Sequence, residues 1–193
     1  LNSYYHFFLF RQYGPIPIME ENLPVSASPE GVAVYRNTVD EVTAYIVKLL
    51  DEAAAVLPGS IENATEEMGR ATKPMALALK AKLLTMVASP LFNGNSNYSS
   101  MVDKRGTHLF PEKYDAQKWA DAAEAIKDAI TCAESNGAKL YYFESDGFTN
   151  LSEDTKEKLN IRGSVTERWN PEIIWGSTNS TSALQKSLAH RTS

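Results

Sequence analysis

Gly69-Arg70-Ala71-Thr72-Lys73-Pro74-Met75-Ala76-Leu77-Ala78-Leu79-Lys80-Ala81-Lys82-Leu83-Leu84-Thr85-Met86-Val87-Ala88-Ser89-Pro90-Leu91-Phe92-Asn93-Gly94 reads as one helix with a marked start and a marked stop. Thr72 stands where a hydroxyl caps the first free amides, and Pro74 falls in the first turn, where a missing N–H costs little. Pro90 ends the run, and Asn93-Gly94 tolerates positive φ. Between them only Lys80, Lys82 and Thr85 interrupt the apolar surface. A helix apolar on nearly every side belongs between other helices. It carries packing and no reactive group, which points to a scaffold.

The flanking sequence supplies its neighbours. Upstream, Thr38-Val39-Asp40-Glu41 has the form of a capping box, followed by Val42, Ile46, Leu49, Leu50, Ala53 and Leu57 at helical spacing and stopped by Pro58-Gly59. Before it, Tyr4, Tyr5, Phe7, Phe8, Leu9, Phe10 and Tyr13 form an aromatic helix broken at Gly14-Pro15, and prolines 15, 17, 24 and 29 mark an extended connection through Tyr35. Downstream, residues 94–114 are a long Asn/Ser/Gly-rich loop. Asp115 then caps a helix with Trp119, Ala122, Ala123, Ile126, Ile130 and Ala133 on one face, ended by Asn136-Gly137. Trp119 is expected in the core.

Helices are therefore expected at about 1–13, 39–57, 71–88 and 116–135. Residues 144–193 should be mostly loop, with Ile173-Ile174-Trp175 a candidate short strand. The class is all-α: tetratricopeptide-like helical hairpins with long irregular loop insertions. Small residues on a second helix (Ala76, Ala78, Ala81) and an early aromatic on a first helix fit that packing. Thr38 and Asp115 stand 77 residues apart, so the period of about 34 is not kept. The aromatic opening and the unclosed Ser187–Ser193 end read as those of an internal fragment of one domain spanning 1–193.

Composition removes several classes of function. The net charge of −5 comes with no basic cluster to neutralise phosphates, which argues against nucleic acid. No charge-free apolar run approaches the length of a membrane span. The lone Cys132 sits beside an apolar helical stripe, as a buried inert thiol does. His6, His108 and His190 are far apart and have no metal-ligand neighbours at helical spacing. Glu66-Glu67 and Glu153-Asp154 lie in polar loops. No Gly-rich phosphate loop or Gly-x-Ser-x-Gly occurs. No cofactor, metal or catalytic residue is expected. The sequons at Asn63, Asn97, Asn150 and Asn179 are of a kind common by chance.

Loop aromatics are the one functional hint. An aromatic face takes up the C–H face of a sugar ring, and Tyr98, Trp169 and Trp175 are the candidate ligand-binding residues, with Tyr141 and Tyr142 beside them.

An ordered set of segments resembles SusD/RagB-type outer-membrane nutrient-binding proteins. These are Arg11-Gln12-Tyr13-Gly14-Pro15-Ile16-Pro17-Ile18 after an aromatic helix, Gly69-Arg70-Ala71-Thr72-Lys73 before an Ala/Leu helix ending Ala88-Ser89-Pro90-Leu91-Phe92-Asn93-Gly94, and Trp169-Asn170-Pro171-Glu172-Ile173-Ile174-Trp175. The helix from Val39 to Pro58 and the one containing Lys118-Trp119-Ala120-Asp121-Ala122-Ala123 fall where that family has tetratricopeptide helices. The resemblance implies a cell-surface binding protein, not an enzyme. It implies lipid anchoring on the Gram-negative outer membrane through a cysteine upstream of Leu1, Cys132 being mid-helix. The implied role is capture of oligosaccharides, or of peptides in some branches, for a TonB-dependent SusC-like transporter that meets the tetratricopeptide face. No ligand position carries over residue by residue. Other readings are an intracellular tetratricopeptide adaptor and a glycoside hydrolase on a helical frame, the latter needing two carboxylates converging in a cleft.

Overall fold

The structure, a computed structural model, describes residues 1–144 and 151–178. Six α-helices organise them: α1 (Asn2–Tyr13), α2 (Val39–Val56), α3 (Ala64–Glu67), α4 (Lys73–Ala88), α5 (Gln117–Ser135) and α6 (Glu153–Thr166). Among the described residues no strand forms; the extended contacts are confined to a single bridge between Val102 and His108. The candidate strand Ile173-Ile174-Trp175 is instead part of a turn-rich segment. His190, Asn150 and the sequon at Asn179 lie outside the described residues.

α4 lies between α2 and α5. The Lys73 amide donates to the Pro58 carbonyl, and Lys80 Nζ meets Asp51 Oδ1 at 2.7 Å. Residue numbers rise along α4 as they fall along α2, so the two helices are antiparallel. At its other end, buried Asn93 donates to the Ala88 and Asp115 carbonyls and accepts from the Asp115 amide, tying the end of α4 to the start of α5. Lys118 Nζ then reaches Asp40 Oδ1 at 2.6 Å, which puts the starts of α5 and α2 side by side. Consecutive helices thus form antiparallel hairpins.

The main core joins Phe7 and Phe10 of α1, Val39, Val42, Ile46 and Leu50 of α2, Leu83 and Val87 of α4, and Phe92, Leu109 and Phe110 from the loops. Phe10, Phe92, Phe110 and Tyr98 form a continuous row of rings with neighbouring centroids 4.4–5.9 Å apart. Buried His6 pins the connection after α1. Its Nδ1 bonds the Asn2 carbonyl at 3.0 Å while Nε2 accepts the Met19 amide at 3.2 Å, which fixes the proton on Nδ1.

The capping box of α2 forms in full: the Glu41 amide donates to Thr38 Oγ1, and the Thr38 amide donates to Glu41 Oε2 at 2.8 Å. Thr72, by contrast, makes no side-chain cap. Pro74 occupies the second helical position, so an amide that a capping hydroxyl would serve is absent. α5 begins at Gln117 with Asp115 Oδ1 accepting the Gln117 amide, one residue ahead of the formal cap Ala116. Gly94, at φ 71°, lies so close to the Tyr114 backbone that a Cβ would have no room.

The expected inward face of α5 is corrected. Trp119 is 42% exposed, and Ile126 and Ile130 are exposed with it. α5 instead turns Ala122, Ala125, Ala129 and Ala133 inward, and Ala125 and Ala129 meet Ala81 of α4. Small side chains let the two backbones approach closely, and that contact outweighs the burial of larger groups. A sixth helix, α6, lies in the stretch expected to be mostly loop. It is polar on almost every side and is braced by Lys156–Glu153 and Lys158–Asp154 pairs.

Candidate functional site

The end of α6 leads into Trp169–Gly176, a segment held by side chains and not by a ladder. Asn170 is buried, and its Nδ2 donates to the Ser164 and Glu167 carbonyls while its Oδ1 accepts the Glu172 amide. This closes the helix end and opens the next turn with one side chain. The Lys139 amide donates to the Pro171 carbonyl, and the Tyr141 amide donates to Glu172 Oε1, so the segment is strapped to the chain leaving α5. Trp175 ties its far end to the start of α4: its Nε1–H donates to the Gly69 carbonyl at 2.8 Å. The same indole meets the Tyr4 ring of α1 edge-on, with centroids 5.5 Å apart.

A cleft of about 260 Å³ lies between this segment and the α2–α4 connection. Trp169 and Trp175 line one side; Gly59, Ser60 and Met68–Arg70 line another, and Asn136–Ala138 contribute from the end of α5. A second recess, about 670 Å³, continues past Trp175 toward Tyr4 and Thr178 and shares Met68, Gly69 and Arg70 with the first. Indole surfaces, backbone polar groups and the Ser60, Arg70 and Asn136 side chains therefore converge on one depression. Arg70 is held at its rim by Glu67, with Nη1 and Oε1 2.6 Å apart.

Trp169 is the one described non-glycine residue at positive φ, 58°. For a bulky L-residue this conformation costs about 1–2 kcal/mol and persists only where its surroundings enforce it. Here the next residue, Asn170, is locked by its hydrogen bonds, and the indole is placed against Gly176 at the cleft.

Of the three aromatics singled out from sequence, Trp169 and Trp175 come together at this cleft. Tyr98 does not join them; it stacks on Phe110 at 4.4 Å, against the main core. Gly69, Arg70, Ser60 and Asn136 were missed as site residues, because their meeting depends on contacts between segments far apart in sequence. The Arg70 in the quoted Gly69-Arg70 pair was the one local signal.

The arrangement offers stacking faces and hydrogen-bonding groups. Among the described residues no cluster of three His, Cys, Asp or Glu side chains could hold a metal ion, and no helix is long and apolar enough to cross a membrane. The carboxyls with clearly shifted pKa lie off the cleft lining. Glu41 is held below its ordinary range chiefly by the Thr38 amide. For Asp103, burial pushes the pKa up, but hydrogen bonds from the Thr107 and Arg105 amides and the Arg105 guanidinium outweigh it and leave it lowered.

Residues 1–84 match the family described as SusD-like, starch-binding associating with outer membrane. The whole fold is similar to a solved structure named BT4246, with a TM-score of 0.80 and 35% identity over 93% of this chain and 34% of that one. A selenomethionine BT4246 structure is similar at a TM-score of 0.76, with 33% identity over 94% of this chain and 33% of that one. The chain spans about a third of the length of the solved structures it matches. No curated protein matches the sequence.

Proposed function

We propose, on the premise that this chain belongs to the SusD-like family, that it is the helical frame of a glycan-capturing protein of a Gram-negative outer membrane. The observation that carries the reading is the match of residues 1–84 to a starch-binding, outer-membrane-associated family. One feature of the site supports it. The cleft offers indole surface and hydrogen-bond donors and acceptors, which suits the alternating C–H and hydroxyl faces of a sugar.

In this reading Trp169 stacks on a sugar ring, Trp175 fixes the platform to α1 and α4, and Arg70 and Asn136 bond hydroxyls. The finer features follow the family: a lipid anchor upstream of Leu1, surface exposure, and delivery of the ligand to a TonB-dependent SusC-like transporter. A peptide-capturing, RagB-like role is the second reading, favoured by the polar Arg70 rim.

The test is calorimetric titration of the full-length protein against panels of oligosaccharides and peptides. Saturable binding of a glycan, weakened about tenfold or more by Trp169→Ala, is the expected result. Peptide binding with no glycan binding shifts the assignment to the second reading. Hydrolysis of a bound glycan by the purified protein overturns both.

A further inference from the structure

The cleft and the recess beyond Trp175 differ in charge from the chain that builds them. The full sequence carries 24 acidic and 19 basic residues, a net charge of −5. Among the described residues, the only charged side chain lining either depression is that of Arg70, and no carboxylate lines them. A second guanidinium stands beside it. Arg168 Nη2 donates to the Thr178 carbonyl at 2.9 Å. Thr178 lines the recess and lies against Gly69, the residue before Arg70. Trp169, the residue after Arg168, lines the adjoining cleft. Both arginines are exposed. Glu67 takes one N–H of Arg70 and steadies it, and the rest of the five-donor fork is left for a ligand.

Resting on the glycan-capturing reading, we infer that the ligand is an acidic glycan: a sugar bearing a carboxylate, with Trp169 under its ring and Arg70 and Arg168 flanking the charged group. A carboxylate carried by a sugar projects from the edge of the ring. A ring stacked on the indole therefore directs that group to the margin of the cleft, where the two arginines stand. The planar guanidinium fork matches the two oxygens of a carboxylate, and a hydrogen bond between charged partners is about twice as strong as one between neutral groups. A lining with no carboxylate repels no anion, and it offers a cationic sugar no partner. The acidic balance of the rest of the chain turns such a ligand away from other surfaces and toward this one. Ser60 and Asn136 remain for its hydroxyls.

The test titrates the full-length protein with a galacturonate tetrasaccharide, a hyaluronan tetrasaccharide and sialyllactose, each beside its carboxyl-reduced neutral form, and with a tetraglutamate peptide. At least one acidic glycan should bind about tenfold or more tightly than its reduced form, and the gap should narrow as salt rises. Arg70→Gln and Arg168→Gln, both at exposed positions, should each shrink that gap severalfold and change the affinity of the reduced form by less than about twofold. A gap unchanged in both variants, or an equal loss for acidic and reduced forms, overturns the assignment of the arginines and with it the proposal. Equal affinity for acidic and reduced glycans, or binding of neutral glycans alone, overturns the proposal and leaves glycan capture standing. Tetraglutamate binding as tightly as the acidic glycans also overturns it, since charge without a sugar ring then suffices. Absence of binding by every glycan, acidic or neutral, overturns both readings.

Discussion

Trp175 and Gly69 are 106 residues apart in sequence and joined by a hydrogen bond of 2.8 Å from the indole nitrogen to the carbonyl. The bond binds the last described loop to the turn that starts the central helix, and the same indole abuts Tyr4 of α1. Three distant segments meet on one side chain. Trp175→Phe keeps a ring against Tyr4 and loses the N–H, so it should cost about 1 kcal/mol in denaturant unfolding. Trp175→Ala removes the ring as well. Because the ring is only partly buried, the expected loss is about 2 kcal/mol and not the full value of a core tryptophan.

Trp169 separates stability from binding. Its φ of 58° suits glycine and strains alanine. Trp169→Gly should therefore be more stable than Trp169→Ala by about 1 kcal/mol, measured by urea midpoints. Both variants lack the indole, so both should bind glycan equally weakly. Retained affinity in Trp169→Gly would remove the side chain from the site.

Much of this frame was legible because its signals are local. The Thr38–Glu41 box, the Pro58-Gly59 stop, and the Pro74 and Pro90 punctuation of α4 each act within a few residues, and the helices formed where those residues stand. α6 escaped because it has no apolar stripe. Its local signal was the Ser152 side chain capping Thr155, with Glu153 and Asp154 in the first turn. The cleft was half legible: the tryptophans were visible as loop aromatics, but what brings them together is one bond across 106 residues and the buried amide of Asn170. Tyr98 lies apart from the two tryptophans, because its ring stacks on Phe110 at the margin of the main core, a contact no local sequence pattern announces.

Asn93 should be the most sensitive polar residue of the frame. It is buried and makes three bonds that hold the end of α4 to Asp115 ahead of α5. Asn93→Ala leaves the Asp115 amide and carbonyl without these partners, and an expected loss of about 2–3 kcal/mol follows. Thermal or urea unfolding reads it directly. A loss below half a kcal/mol would show that water replaces the side chain without cost.

Glu41 gives the fold an acid-sensitive element. The Thr38 amide, chiefly, holds its carboxyl below the ordinary value of 4.5; burial opposes the effect, and Asn37, the Thr38 hydroxyl and Arg105 reinforce it. A carboxyl with a lowered pKa in the folded state adds stability above its unfolded pKa and loses it as the pH falls through the folded one. Between pH 6 and pH 3 the native chain should therefore lose more stability than Glu41→Gln, which keeps an acceptor and no titrating charge. Parallel pH profiles for the two proteins would refute this.

The interface between α4 and α5 is the place where bulk, not polarity, decides. Ala81, Ala125 and Ala129 meet there, while Trp119 on the same helix faces outward. The sequence rule that large apolar residues go inward fails because the alanines permit a closer approach than any larger pair would. Ala129→Leu should then overpack the contact and cost about 1–3 kcal/mol, despite adding apolar surface and retaining helix propensity. Ala120→Leu, an exposed position on the same helix, should change stability by no more than about 0.5 kcal/mol. If the two substitutions are equally mild, the alanine seam is loose, and α5 is held chiefly by the Lys118–Asp40 pair and the Asn93 bonds at its start.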